Sequence, residues 1–152
     1  MSTSTTLPED GQITLVTWPD ALSDATGYPV RSEYVERFWL GILGPTATWL
    51  LRRCSDEVLS NTTGAVVDLH PMAGSIGLAY HAGRHNPFSR GFDRLIMFGM
   101  MRHVGNHPRP TFAVRTHVPL LAGRQVARLP EQLQVAHADY LSSAAAPLSL
   151  RG

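Results

Sequence analysis

Arg90 and Arg94 stand four residues apart in "HNPFSRGFDRLIMFGMMR", the spacing that places two side chains on one face of a helix. Guanidiniums so placed present planar forks of donors that match phosphate oxygens or the edges of guanine. Asn86 precedes Pro87 at the head of this segment, and a capping asparagine together with free backbone N–H groups can hold a phosphate there. Ser89 shares the outward face. Arg84 lies just before the segment, and Arg109 and Arg115 lie in the stretch after it, where they can flank the same polyanion. The chemistry these residues describe is the recognition of negative charge, with no bond made or broken.

Other constellations carry less. His81 with His85, and His103 with His107, have the H-x-x-x-H spacing that gathers a metal on a helix, but each pair encloses a glycine in a loop-like stretch and has no third ligand type beside it. No metal site is expected, and the histidines read as hydrogen-bonding groups with partial positive charge. Cys54 is the one cysteine, so no disulfide can form within the chain. It falls on the apolar stripe Ala47, Leu50, Leu51, Cys54, Val58, which makes it a small core residue and not a nucleophile. There is no phosphate-binding glycine loop, nucleophile elbow or paired carboxylate motif, so neither an enzymatic activity nor a cofactor is expected.

Charge supports the same direction. All thirteen basic residues are arginine, and the chain as a whole carries +1. Residues 1–68 hold four arginines against nine acids, a net of −5, whereas residues 69–128 hold eight arginines against Asp93 alone, a net of +7. Segregation of this kind suggests a basic face for an anionic partner. No apolar run reaches the roughly 20 residues of a membrane span and no secretory signal is evident, so a reduced, cytoplasmic protein without membrane contact is expected.

The elements that must position these residues follow from pattern. Residues 1–12 read as a flexible tail, and 13–44 as an N-terminal arm ("ITLVTW") followed by a helix, "EYVERFWLGIL", that Gly44 ends. Pro45 opens the next helix, "AVVDL" is a short β-prone run, and Asp68 caps a weak helix with Leu69, Met72 and Ile76 inward. Asn86 and Pro87 begin a helix over 87–101 whose buried side is Phe88, Phe92, Leu95, Ile96 and Gly99. Alternation from Phe112 to Val118, and the turn "GNHPRP" before it, predict a β-hairpin over 102–118. Helices broken at Pro130 fill 122–145, and 146–152 form a tail. Trp39 and Trp49 fall on adjacent helices as core or dimer-interface residues and not as base-stacking platforms, while Trp18 can anchor the arm onto the domain or a partner.

The order helix, short strand, short helix, turn, long helix, hairpin over residues 45–121 resembles a winged helix-turn-helix DNA-binding domain. "VVDLHPMAGSIGL" followed by "NPFSRGFDRLIMFGMMRHVGNHPRPTFAVRTHVPLL" is similar to the cores of small transcription regulators, including uncharacterised ones of high-GC bacteria and their phages. The resemblance implies an α+β, mainly helical winged helix with added N- and C-terminal helices. It also implies a sequence-specific transcriptional regulator in which 87–101 is the recognition helix and 102–118 the wing on double-stranded DNA. A winged-helix adaptor that binds a protein partner is the alternative. The apolar helix at 33–43 and the stripe Leu129, Leu133, Ala136, Tyr140 predict a homodimer.

Overall fold

The computed structural model describes residues 7–83 and 85–151, those from 144 onward by backbone alone. Strand β1 (Gln12–Thr17) leads through α1 (Ala21–Thr26) and the two-residue β2 (Tyr28–Pro29) into a π-helical segment, Val35–Trp39, continued by α2 (Leu40–Leu43). Then come α3 (Pro45–Ser60), β3 (Ala65–Asp68), α4 (Leu69–Ser75), α5 (Pro87–Met97), β4 (Met101–Gly105), β5 (Thr111–Val114) and β6 (His117–Val118). Helices α6 (Gly123–Val126) and α7 (Glu131–Arg151) end the described chain. The fold is α+β, and about half of the residues are helical.

One four-stranded sheet, in the order β3-β1-β5-β4, organises the molecule. β1 pairs antiparallel with β3 and parallel with β5, and β4 returns antiparallel along β5. Alternation sends Ile13, Leu15, Ala65, Val67, Phe112 and Val114 to one face, where all are buried. Helices α3 and α5 cover that face. The opposite face carries Thr14, Val66, Ala113 and Arg102, with Val66 exposed.

This topology alters two expectations. The arm at 13–18 is β1, a central strand and not an appendage, and it joins the hairpin strand β5 to the rest of the sheet. The hairpin over 102–118 is shorter than expected, forming as β4 and β5 over 101–114, with β5 inside the sheet and Phe112, Ala113 and Val114 buried. The tail is likewise shorter than expected: Leu7 is buried and the Tyr80 hydroxyl donates to the Pro8 carbonyl.

Helix α5 shows why sequence predicts starts better than ends. Asn86 Oδ1 accepts the Ser89 N–H at 3.0 Å and Ser89 Oγ accepts the Asn86 N–H at 3.4 Å, a reciprocal cap with Pro87 at the first helical position. At the other end Gly99 takes φ +72°, the Gly99 N–H donates to Ile96 and the Met100 N–H to Leu95, a Schellman motif. The helix therefore closes at Met97 and not at 101, and Met101 already belongs to β4. Phe88, Phe92 and Leu95 are fully buried as expected. Gly91 sits where α5 crosses α3 so closely that an added Cβ would lie 2.8 Å from Thr46 Cγ2.

The terminal helices close on their own chain. Leu129 is buried, and the Tyr140 ring lies 5.8 Å from Tyr34 and 5.5 Å from Phe38, so the stripe read as a dimer face packs against the π-helical segment instead. Helix α7 also runs through the expected tail to Arg151. His137 is buried in this seam, with Nε2 2.8 Å from the Tyr34 oxygen, which itself accepts the Leu121 N–H at 2.9 Å. With the ring neutral, Tyr34 can donate to Nε2 while accepting from Leu121. The facing cation is Arg37, over Phe38 and Tyr140.

Burial lowers the His137 pKa below its ordinary 6.5. The unfolded chain therefore takes up a proton first as pH falls, so the contribution to stability is full above about pH 6.5 and declines below it. Denaturant unfolding is expected to show lower stability at pH 5 than at pH 7.5, with a smaller decline in His137→Gln. An equal decline in both proteins would place the titrating group elsewhere.

Candidate nucleic-acid interface

The residues expected to meet DNA separate into different roles. Arg84 lies outside the described residues. Asn86 and Ser89 are consumed by the α5 cap: Ser89 is buried, and Asn86 Nδ2 donates to the carbonyls of Gly83 at 2.6 Å and His81 at 3.3 Å. Neither is free to hold a phosphate.

Arg115 is a structural residue. Its Nη1 donates to Asp20 at 2.6 Å, its Nε to the Gly99 carbonyl at 2.7 Å, and its guanidinium carbon is 4.1 Å from the centre of the Trp18 ring. The guanidinium beside Asp20 holds that carboxyl below its usual range, and Trp18 anchors the β1 end as expected. Alternation from Phe112 to Val118 places Arg115 on the face opposite Phe112 and Val114. In the fold that site faces α1, whose N-cap is Asp20. Arg115→Gln is expected to lower the midpoint of thermal unfolding, followed by circular dichroism, while leaving the salt dependence of DNA binding unchanged; a slope shallower by about 0.9 would make it a phosphate contact after all. Arg109 is only partly exposed at the β4–β5 turn, its Nη1 3.5 Å from Thr14 Oγ1.

Arg90 and Arg94 keep the surface role. Both are exposed, and together with Leu43, Pro45, Thr46 and Pro87 they line a depression of about 340 Å³ where α5 meets the start of α3. Arg94 Nη2 and Nε donate to the Ile42 carbonyl at 2.9 and 3.3 Å, which fixes the side chain without cancelling its charge. Its guanidinium carbon lies 5.4 Å from the Phe98 ring centre. Phe98 in turn lines a second depression, of about 440 Å³, with Met97, Gly99, Arg124, Gln125 and Arg128. Arg94, packed on Phe98, links the two depressions, so Arg90 and Arg94 on α5, Arg124 on α6 and Arg128 just after it line adjoining surface, an arginine strip along the α5–α6 edge.

Pairing explains why the charge of this strip survives. Acids of residues 1–68 neutralise Arg31, Arg37, Arg52 and Arg115 through Asp56, Glu33, Glu36 and Asp20. Among the described residues, none of the four strip arginines has an ion-pair partner within 4.0 Å. Arg124 and Arg128 are not among the contacts expected from sequence, which end at the hairpin with Arg115. Their signal in sequence was their spacing of four within the +7 segment.

The remaining candidates fall elsewhere. His103 packs on Phe112 with ring centres 5.0 Å apart, and among the described residues no group of three or more His, Cys, Asp or Glu side chains is placed to hold a metal. Cys54 is buried, and burial pushes its thiol far above the ordinary range, away from the reactive thiolate. Trp39 is buried with Nε1 donating to the Pro119 carbonyl at 2.9 Å, whereas Trp49 is exposed on α3. No described helix is long and apolar enough to cross a membrane. No family model, curated protein or solved structure matches the chain.

Proposed function

We propose that the protein binds DNA through the α5–α6 edge and acts as a DNA-binding transcriptional regulator. The observation that carries this reading is the strip of Arg90, Arg94, Arg124 and Arg128, four cations in sequence along one edge without an ion-pair partner among the described residues. Arginine forks spaced along an edge suit the oxygens of a phosphate backbone. In this reading α5 takes the part of a recognition helix, as in a winged helix-turn-helix domain. It is flanked by α6, where such a domain would use its wing.

Titration of fluorescently labelled duplex DNA at several salt concentrations tests the proposal. Four arginine–phosphate contacts give log K against log salt a slope of about −3.6. Absence of binding at low salt, or a slope near zero, would overturn it. That outcome favours the adaptor reading, for which the specific support is Met97, 70% exposed in the middle of the strip.

A further inference from the structure

Beside the arginine strip, Pro45, Thr46, Trp49, Arg53, Ser75 and Ile76 line an open slot of about 260 Å³. It is smaller than the roughly 300–1,000 Å³ of ordinary ligand pockets, which suits one flat ring better than a whole metabolite. Residues 46, 49 and 53 follow helical spacing and therefore share one side of α3. The Trp49 ring is the largest element of the wall, and the residue is 46% exposed.

Two guanidiniums approach that ring, with carbons 5.4 Å (Arg52) and 5.5 Å (Arg53) from its centre. They differ in what they can offer. Arg52 is buried, ion-paired to Glu36 at 3.0 Å and bonded to the Val30 and Ser32 carbonyls, so it braces the indole and has little left for a ligand. Arg53 donates Nε to Ser75 Oγ at 3.1 Å and Nη2 to the Ser75 carbonyl at 3.4 Å, and no carboxylate pairs with it among the described residues. Its charge is held at the slot, and among the described residues no acceptor meets its Nη1. Pro45 and Thr46 line both this slot and the Arg90–Arg94 depression, so the two adjoin across these residues.

Resting on the nucleic-acid reading above, we infer that this slot receives one unpaired base, and that the preferred ligand is DNA carrying a single-stranded segment. The base stacks on Trp49 between Pro45 and Ile76, and the backbone beside it runs from Arg53 to Arg90 and Arg94. An aromatic wall flanked by backbone-tracking cations is the arrangement by which single strands are held with little sequence preference. A base inside a duplex keeps both faces stacked and cannot enter the slot unless it leaves the helix.

The test compares a duplex with the same duplex bearing a single-stranded thymidine overhang of about six nucleotides, by fluorescence anisotropy at one low salt concentration. Wild-type protein is expected to bind the overhang DNA roughly 5- to 150-fold more tightly, the range that loss of one stacked base spans. Trp49→Ala is expected to bind both DNAs with the affinity that wild type shows for the duplex, and Trp49→Phe to retain part of the preference. Circular dichroism confirms that the variants, altered at an exposed position, remain folded. Equal affinity of wild type for both DNAs, or a preference that persists in Trp49→Ala, would overturn the slot while leaving the arginine strip standing. Failure of both DNAs to bind would overturn the nucleic-acid reading and the slot with it.

Discussion

Phe92→Ala is expected to destabilise the protein by about 3–5 kcal/mol, the range for removing a fully buried aromatic side chain. Phe92 has no solvent exposure, meets Phe112 of β5 edge to face at 4.9 Å between ring centres, and lies 6.4 Å from Phe88. The loss thus removes apolar burial and the edge-to-face contact, and leaves a cavity between α5 and the sheet that rigid neighbours cannot fill. Against a total stability of about 5–15 kcal/mol, the variant should unfold at far lower urea, with an unchanged dependence on urea concentration. The effect matters for function because the same helix carries Arg90 and Arg94 on its outer edge. A change below about 1 kcal/mol would mean that α5 docks by another face and that its arginines point elsewhere.

The second large effect is expected on binding. Replacing Arg90, Arg94, Arg124 and Arg128 together by glutamine removes the four cations of the strip while keeping polar side chains of moderate length. With a slope of about −3.6, wild-type affinity for duplex DNA falls roughly 150-fold between 50 and 200 mM salt. The fourfold variant is expected to show weak binding whose slope approaches zero. A triple variant that spares Arg94 controls for its bonds to the Ile42 carbonyl, and should retain a slope of about −0.9. An undiminished slope in the fourfold variant would move the contact surface off this edge.

Much of the positioning was legible in the sequence where local chemistry decides it. Asn86 and Pro87 mark the start of α5, Pro45 starts α3, Asp68 caps α4 by accepting the His70 N–H, and Pro130 separates α6 from α7. The end of α5 was legible too, since a glycine after a helical run is the usual left-handed cap, but the run of methionines after Gly99 masked it. What local pattern could not convey is partnership over long separations. The parallel pairing of β1 with β5 joins residues close to one hundred positions apart, and it turns an arm and a wing into neighbours in one sheet. The same pairing brings Asp20 to Arg115, which makes an arginine that alternation places opposite Phe112 and Val114 into a structural tie. Arg124 and Arg128 gain meaning only once α6 is folded beside Phe98. Trp49 shows the converse: its indole marks it as a core or interface residue in sequence, yet it stands half exposed off the buried stripe of α3.

Arginine side-chain NMR on the intact protein addresses the claim of an α5–α6 DNA interface residue by residue. Titrating a short duplex at low salt, the Nε–H resonances of Arg90, Arg124 and Arg128 are expected to shift as binding progresses. Those of Arg115 and Arg52, tied to Asp20 and Glu36, should stay in place. Shifts confined to other arginines, or no shift in any of them up to saturating DNA, would contradict an interface along this edge.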